Sequence, residues 1–411
     1  MAADLQPMAV APRPPGDYAP AAGIRAVEAV HDAARELQGA RILHVTVAGA
    51  GGRVPELLVG LLAVEAGAGV SVEWRVLFGD PELRRVAGAL HGGLRGGESA
   101  IAEADWNAYA GACARVAEAI EGDHDVIVLH DPGAVGLAPW LEGRSVVWHC
   151  HVNASEPEDE ALGRVAALIA GCDLVLAPDP SFLPEGLAGE GLRAAPPGID
   201  PLDPRNLELE PRLPGRVVRP LGVDLDHPFC LQLLELDRWD DPHSTVESFR
   251  LARAEEPSLQ LVLAATLDSA VSEEWRAAKE VSDYVGDTPG VVLLTSYESL
   301  GSLELGGLQH LARVVLERSL GEGFDLGPCE ALWRRTPVVG GTGGGLPLTV
   351  RHGVDGFLAD DVEATAAHLV ELVRDPGLAV EMGRAGRERV RERFLVTAAA
   401  ERELRLLAEL L

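Results

Sequence analysis

The stretch Ile42-Leu43-His44-Val45-Thr46-Val47-Ala48-Gly49-Ala50-Gly51-Gly52-Arg53 decides how the chain is built. Its first half, 42–47, is a short apolar run with the composition of a buried strand. The run breaks at glycines. Val54, Leu57, Leu58, Leu61 and Leu62 then recur at helical spacing, with Pro55 in the first turn, where a missing N–H costs nothing. Strand, glycine turn and helix make the opening unit of a parallel α/β sheet. Outward from it the rhythm repeats, with strand-like runs at 70–77, 126–129, 146–148 and 174–177 and helical patterns at 106–121 and 158–170. Continuous apolar strands alternating with helices predict a parallel sheet covered on both faces. The proline-rich stretch 201–220 has no periodicity and reads as a linker. The rhythm then restarts. Strands are expected at 229–236, 259–264, 291–294, 314–317 and 338–339, and helices at 244–255, 273–285, 306–311 and 328–334, before a helical, charge-patterned end from 361. Residues 1–38 read as a loosely held Pro/Ala arm followed by a helix at 23–37. Two successive α/β domains predict a ligand cleft at the carboxyl ends of both sheets.

Composition narrows the function. A chain of 411 residues is long enough for two domains. With 35 Lys+Arg against 64 Asp+Glu it carries a formal charge of −29, which repels phosphate backbones and anionic lipid. Neither nucleic acid nor membrane is therefore an expected partner. Lys279 is the single lysine, so any cationic site must be built from arginine. The acidic, lysine-poor balance fits a GC-rich coding sequence and a halophilic source equally. Cys113, Cys150, Cys172, Cys230 and Cys329 form no C-x-x-C pair and read as reduced thiols of a cytoplasmic protein. No signal-like start and no run of about twenty apolar residues is present.

Four segments can carry chemistry. The turn at Gly49–Arg53 lets a ligand approach the backbone at a helix N-terminus, and Arg53 adds a cation. His130-Asp131-Pro132 and Trp148-His149-Cys150-His151-Val152-Asn153 both close strands, which puts His130, Asp131, His151 and Asn153 on the side where ligands bind. His149 and His151 alone lack a third metal ligand at usable spacing, so no metal is expected. The fullest segment runs Ser319-Leu320-Gly321-Glu322-Gly323-Phe324-Asp325-Leu326-Gly327-Pro328-Cys329-Glu330-Ala331-Leu332-Trp333. Its two glutamates stand eight apart, one in a glycine loop and one in the first turn of a helix, and both can accept hydrogen bonds from vicinal hydroxyls. Thr336-Pro337-Val338-Val339-Gly340, Gly343-Gly344-Gly345-Leu346-Pro347 and Gly353-Val354-Asp355-Gly356-Phe357-Leu358 follow.

In this order the motifs resemble those of the retaining GT-B glycosyltransferases, with E-x7-E at Glu322 and Glu330, and within that group most closely the glycosyltransferring trehalose synthases. The likeness runs from about residue 40 to 405. It includes V-L-H-D-P at 128–132, C-H-V-N at 150–153, P-P-G-I-D-P-L at 196–202, R-W-x-D-P at 238–242 and E-A-L-W at 330–333. The resemblance implies an α/β GT-B architecture with an arm at 1–38, an acceptor-side Rossmann-like domain at 39–203 and a linker at 204–220. A nucleotide-sugar-side Rossmann-like domain at 221–393 and a helix at 394–411, able to cross back to the first domain, complete it. It implies a hexosyltransferase, moving glucose by preference from a nucleoside-diphosphate sugar to a small hydroxyl acceptor with retention. The nucleotide sugar is then a substrate, and no cofactor or metal is needed. Related enzymes often pair, so a homodimer is the oligomer implied. Glu330 would hold the donor ribose, Glu322 the donor-sugar hydroxyls, and His151 would lie beside the transferred sugar. Gly51 and Gly52 would sit near the diphosphate, and Arg238, Gly323, Phe324 and Asp325 would complete the donor site.

The sequence departs from the pattern where the diphosphate should bind. In Leu234-Glu235-Leu236-Asp237-Arg238-Trp239-Asp240-Asp241-Pro242, Glu235 and Asp240 occupy the positions of an expected arginine and lysine. Asp325 stands where a glycine is usual, and Asn153 where an acid is usual. A carboxylate about 5 Å from a phosphate charge is repelled by roughly 3 kcal/mol at an effective dielectric of about 20. The alternative implied is a pseudo-glycosyltransferase, acting in non-glycosidic coupling, in binding or as a partner subunit.

Overall fold

The computed structural model describes residues 4–49, 52–78, 81–120, 122–187, 191–234, 236, 241–265, 272–295, 300–318 and 323–411. The chain divides into two compact units, one of Met1–Asp200 with Arg393–Leu411 and one of Pro201–Glu392.

The first unit is built on seven strands: β1 (Asp4–Met8), β2 (Arg41–Thr46), β3 (Ser71–Phe78), β4 (Val126–His130), β5 (Ser145–His149), β6 (Leu174–Ala177) and β7 (Leu192–Ala194). Their order is β1-β3-β2-β4-β5-β6-β7, parallel except for β1, which runs antiparallel to β3. The arm is thus not loose. Residues 4–8 add an edge strand, where Pro7 is tolerated opposite Arg75 because an edge strand needs only half its N–H groups. Farther on, Arg13 Nη1 reaches Asp200 Oδ2 at 2.7 Å, and Arg13 N donates to Ala63 O at 2.8 Å. The helix Ile24–Glu36 follows.

Burial sorts the two faces of this sheet. Leu43, Val45, Ile127, Leu129, Val146 and Trp148 point into one apolar core. The alternate residues face the helices Ile24–Glu36, Arg53–Gly67 and Val396–Ala408, which pack against one another. Val396–Ala408 is stitched in place through Leu395, which bridges Ile199, with Ile199 N donating to Phe394 O and Val396 N to Ile199 O, each 2.8 Å. Gly198 is required there. A Cβ at that position would stand 2.5 Å from the Leu395 carbonyl.

The second unit carries β8 (Phe229–Leu234), β9 (Gln260–Ala265), β10 (Val291–Thr295), β11 (Val314–Glu317), β12 (Val338–Gly340) and β13 (Gly356–Leu358), all parallel, in the order β10-β9-β8-β11-β12-β13. The stretch 204–220, expected as a linker, holds the helix Leu213–Val218 and belongs to this unit. In each sheet the chain leaves one inner strand, β2 or β8, in one direction and returns on its other side, between β2 and β4 and between β8 and β11. Ligands bind α/β sheets at the carboxyl ends of such strand pairs.

No helix among the described residues is long and apolar enough to cross a membrane.

Candidate active site

In the first unit, strand register gathers the histidines. His130 of β4 pairs directly with His149 of β5, and His44 of β2 pairs with Val128, two residues before His130. Side chains two apart in a strand share a face, so His44, His130 and His149 line one side of the sheet, and His151 lies just beyond. His44 Nδ1 stands 3.1 Å from His130 Nε2, and His130 Nδ1 stands 3.0 Å from His151 Nε2. The rings of His149 and His151 stack at 4.2 Å.

Two glutamates close the cluster from the covering helices. Glu65 of Arg53–Gly67 and Glu403 of Val396–Ala408 are both buried. Glu403 Oε2 lies 3.4 Å from His149 Nδ1, and Glu65 Oε2 lies 3.8 Å from His44 Nε2. Burial opposes ionisation of His44, His130, His151 and both glutamates. It lowers His44 to about 4 and pushes His130 and His151 well below the usual imidazole range, with the neighbouring rings adding to the effect. Glu65 goes the other way, raised by burial and by the charge of Glu403. For Glu403 burial also favours the neutral form, but the hydrogen bond and charge of His149, with His44 and Arg402, outweigh it and hold the carboxyl down. The two carboxyls are thus driven in opposite directions.

Asp131 anchors the turn after β4. It adopts φ +59°, a left-handed conformation that costs a non-glycine residue about 1–3 kcal/mol. Trp148 Nε1 donates to its carbonyl at 3.2 Å, and the His151 N–H donates to its carboxylate at 3.3 Å. Asn153 Oδ1 accepts from Ser155 N at 3.1 Å, so its side chain shapes the turn after His151. His149, His151 and Glu403 line a pocket of about 370 Å³ with Leu57, Leu58 and Pro197. Gly52, at φ +83°, precedes Arg53, the first residue of its helix, at the carboxyl end of β2.

Sequence reading missed Glu65, Glu403 and His44. It paired His149 with His151 and found no third ligand, yet one nitrogen from each of His130, His149 and His151 lies within 4.8 Å of the others, and the same holds for His44, Glu65 and Glu403. The signal was there in histidines on one face of β2, β4 and β5, with His130 and His149 level and His44 two residues deeper. Recognising it required the strand order.

In the second unit the site is a pair of glycine loops. The helix Gly327–Trp333 begins just after Gly323–Asp325, and Asp325 Oδ1 accepts from Gly327 N at 2.8 Å. The acid found where glycine was expected therefore closes a turn onto the first residue of the helix. Phe324 is buried, and the loop abuts Gly345, where a Cβ would lie 2.7 Å from Gly323 O. Thr342 N and Oγ1 donate to Asp360 Oδ1, and Arg318 holds the Ala359 and Asp360 carbonyls at 2.8 and 3.0 Å. Glu317, Gly323, Asp325, Gly341 and Gly343–Leu346 bound a pocket of about 310 Å³. Glu330 sits in the first turn of its helix, nearly buried, with Arg205 Nη1 at 4.0 Å from Oε1. Glu322, Gly51, Arg238, Glu235 and Asp240 lie outside the described residues.

Residues 44–184 match the family described as Trehalose synthase, N-terminal domain, and residues 234–375 match Glycosyl transferases group 1. The trehalose synthase of Rubrobacter xylanophilus is 34% identical over 389 residues, 93% of each chain. The chain belongs to the trehalose synthase family of glycosyltransferases. Among solved structures, the UDP-forming trehalose-phosphate synthase of Burkholderia xenovorans superposes with a TM-score of 0.70 at 14% identity, over 90% of this chain and 98% of that one. The Anabaena protein HepE, in complex with UDP and glucose, superposes with a TM-score of 0.65 at 18% identity, over 90% and 99%. The fold is GT-B, with two Rossmann-like parallel-sheet domains, as the motifs implied. The family hits lend no support to the pseudo-glycosyltransferase alternative.

Proposed function

We propose that the protein transfers glucose, with retention, from a nucleoside-diphosphate donor to a small hydroxylated acceptor, glucose itself by the family's name. The observation that carries this reading is Glu330, held in the first turn of the helix whose Pro328 lines a pocket walled by two glycine loops. A carboxylate there accepts two hydrogen bonds from the ribose hydroxyls. The glycines admit the diphosphate to backbone N–H groups, with no metal required. Family likeness puts Glu322 on the donor sugar, with Gly51, Gly52, Arg53 and Arg238 toward the diphosphate. In the first unit, His151 is the group beside the transferred sugar, with His130, Asp131 and Asn153 fixing its position. Retention follows from front-face attack, the departing phosphate taking the acceptor proton, so no protein nucleophile is invoked. HepE, which carries UDP and glucose, supports a nucleotide-sugar substrate.

The test is incubation with UDP-, ADP- and GDP-glucose plus glucose, following released nucleotide and the α,α-linked disaccharide. No turnover with any donor rejects the reading. The exchanged charges give a second handle. Glu235→Arg combined with Asp240→Lys should tighten nucleoside-diphosphate binding tenfold or more by calorimetry, since each charge-assisted bond contributes about 1.5–3 kcal/mol. Unchanged binding would show that these positions do not face the diphosphate.

A further inference from the structure

The buried histidines of the first unit form a chain whose hydrogen bonds must all run one way. Two hydrogen bonds form it, between His44 Nδ1 and His130 Nε2 at 3.1 Å and between His130 Nδ1 and His151 Nε2 at 3.0 Å, and Glu65 Oε2 stands at its end, 3.8 Å from His44 Nε2 and one small side-chain shift short of a third. A neutral imidazole carries one N–H and one lone pair. If His130 donates to His151 it must accept from His44, and if it accepts from His151 it must donate to His44. The direction is therefore one binary choice, made at the end of the chain.

We propose that Glu65 is a positioning residue that makes this choice, so that His151 carries its proton on Nδ1 and presents its ligand with a donor, not an acceptor.

Three observations support the direction. Both oxygens of Glu65 and Nε2 of His44 are buried without a hydrogen-bond partner among the described residues, so each is the available partner of the other. Burial and the charge of Glu403 push the Glu65 carboxyl well above the usual carboxylate range, toward the protonated form whose O–H, facing a ring nitrogen, can only donate. Glu403 Oε1 lies 3.9 Å from His44 Nδ1, and a carboxylate favours the N–H on the nitrogen it faces. His44 then donates from Nδ1, His130 donates from Nδ1, and His151 accepts at Nε2. What remains on His151 is Nδ1, which has no partner among the described residues. The other groups facing the chain are His149 from β5 and Asp131 after β4, with His91 behind it.

The same geometry argues against a resident metal. An ion held by His130, His149 and His151 would need the single lone pair of His130, which the chain already uses, while its other nitrogen carries the donated proton.

Only the naming of the ligand as a sugar rests on the proposed function; the tautomer does not. The experiment is long-range ¹H–¹⁵N correlation of the imidazoles in the full chain, with His151 assigned through a His151→Asn variant. The expected result is Nδ1–H on His44, His130 and His151. Glu65→Gln, whose amide N–H donates to the same atom, should keep this pattern and most of the activity. Glu65→Leu should mix or reverse it and lower kcat/KM about tenfold or more, with the pH profile displaced. An Nε2–H tautomer at His151 in the unaltered protein overturns the proposal. So does a Glu65→Leu spectrum identical to wild type, or 1:1 zinc binding that abolishes the His130 and His151 N–H signals. If the spectra agree and no donor is turned over, the functional reading falls and the assignment of Glu65 stands.

Discussion

The two units solve the same problem with opposite materials. The first lines the carboxyl ends of β4 and β5 with titratable side chains, buried and held by one another. The second presents glycines, backbone groups and a few carboxylates that cap or pin its loops. A buried side-chain network is specific but hostage to protonation, whereas a backbone loop is indifferent to pH and hostage to sterics. The two should therefore fail differently.

Acid should separate them most. His44, His130 and His151 have folded-state values below the unfolded value of about 6.5, so the unfolded chain binds more protons in that window. Stability rises with pH there and is lost as pH falls below about 6.5, by as much as roughly 1.4 kcal/mol per histidine for each pH unit. Glu65, whose folded value is raised well above the carboxylate range, contributes in the opposite sense from that range upward and offsets about one histidine where the windows overlap. Urea unfolding at pH 7.5 and 5.5 should show a net loss of about 1–3 kcal/mol in the transition of the first unit and a smaller one in the second. Equal losses would remove the contrast.

Glu330→Ala comes next. Losing two hydrogen bonds to a charged acceptor should weaken nucleotide binding and kcat/KM about 10²- to 10³-fold, with the fold intact by circular dichroism. A change under threefold would move the nucleotide elsewhere. The smallest expected effect is steric. In Gly345→Ala the new methyl would lie 2.7 Å from Gly323 O and 2.8 Å from Phe324 Cα, so two loops must part. The expected cost is about 1–3 kcal/mol in urea unfolding, and it should be the same at pH 7.5 and 5.5.

Much of the fold was legible because buried parallel strands announce themselves. The runs at 126–129, 174–177 and 314–317 lie within one residue of β4, β6 and β11. What escaped was context. β1 carries a proline and reads as an arm until β3 offers it an edge. The helix Pro81–Leu94 has its apolar residues spread among alanines and glycines, and β7 is three residues long. The site divides in the same way. His130, Asp131, His151 and Glu330 sit at strand ends or a helix start, where local pattern is enough. Glu65 lies in the last turn of an apolar helix and Glu403 in the middle of a charged one, and only packing against β2 and β5 gives them a role. P-P-G-I-D-P-L, read as a family signature, turns out to be architectural, since Gly198 admits Leu395 and Asp200 receives Arg13.

The return of Arg393–Leu411 to the first unit has a consequence for biogenesis. Glu403 and the Leu395 bridge are translated only after every residue of the second unit. Until then the nascent first unit shows an uncovered flank and a histidine cluster without its counter-charge. The unit begun first is therefore the one completed last.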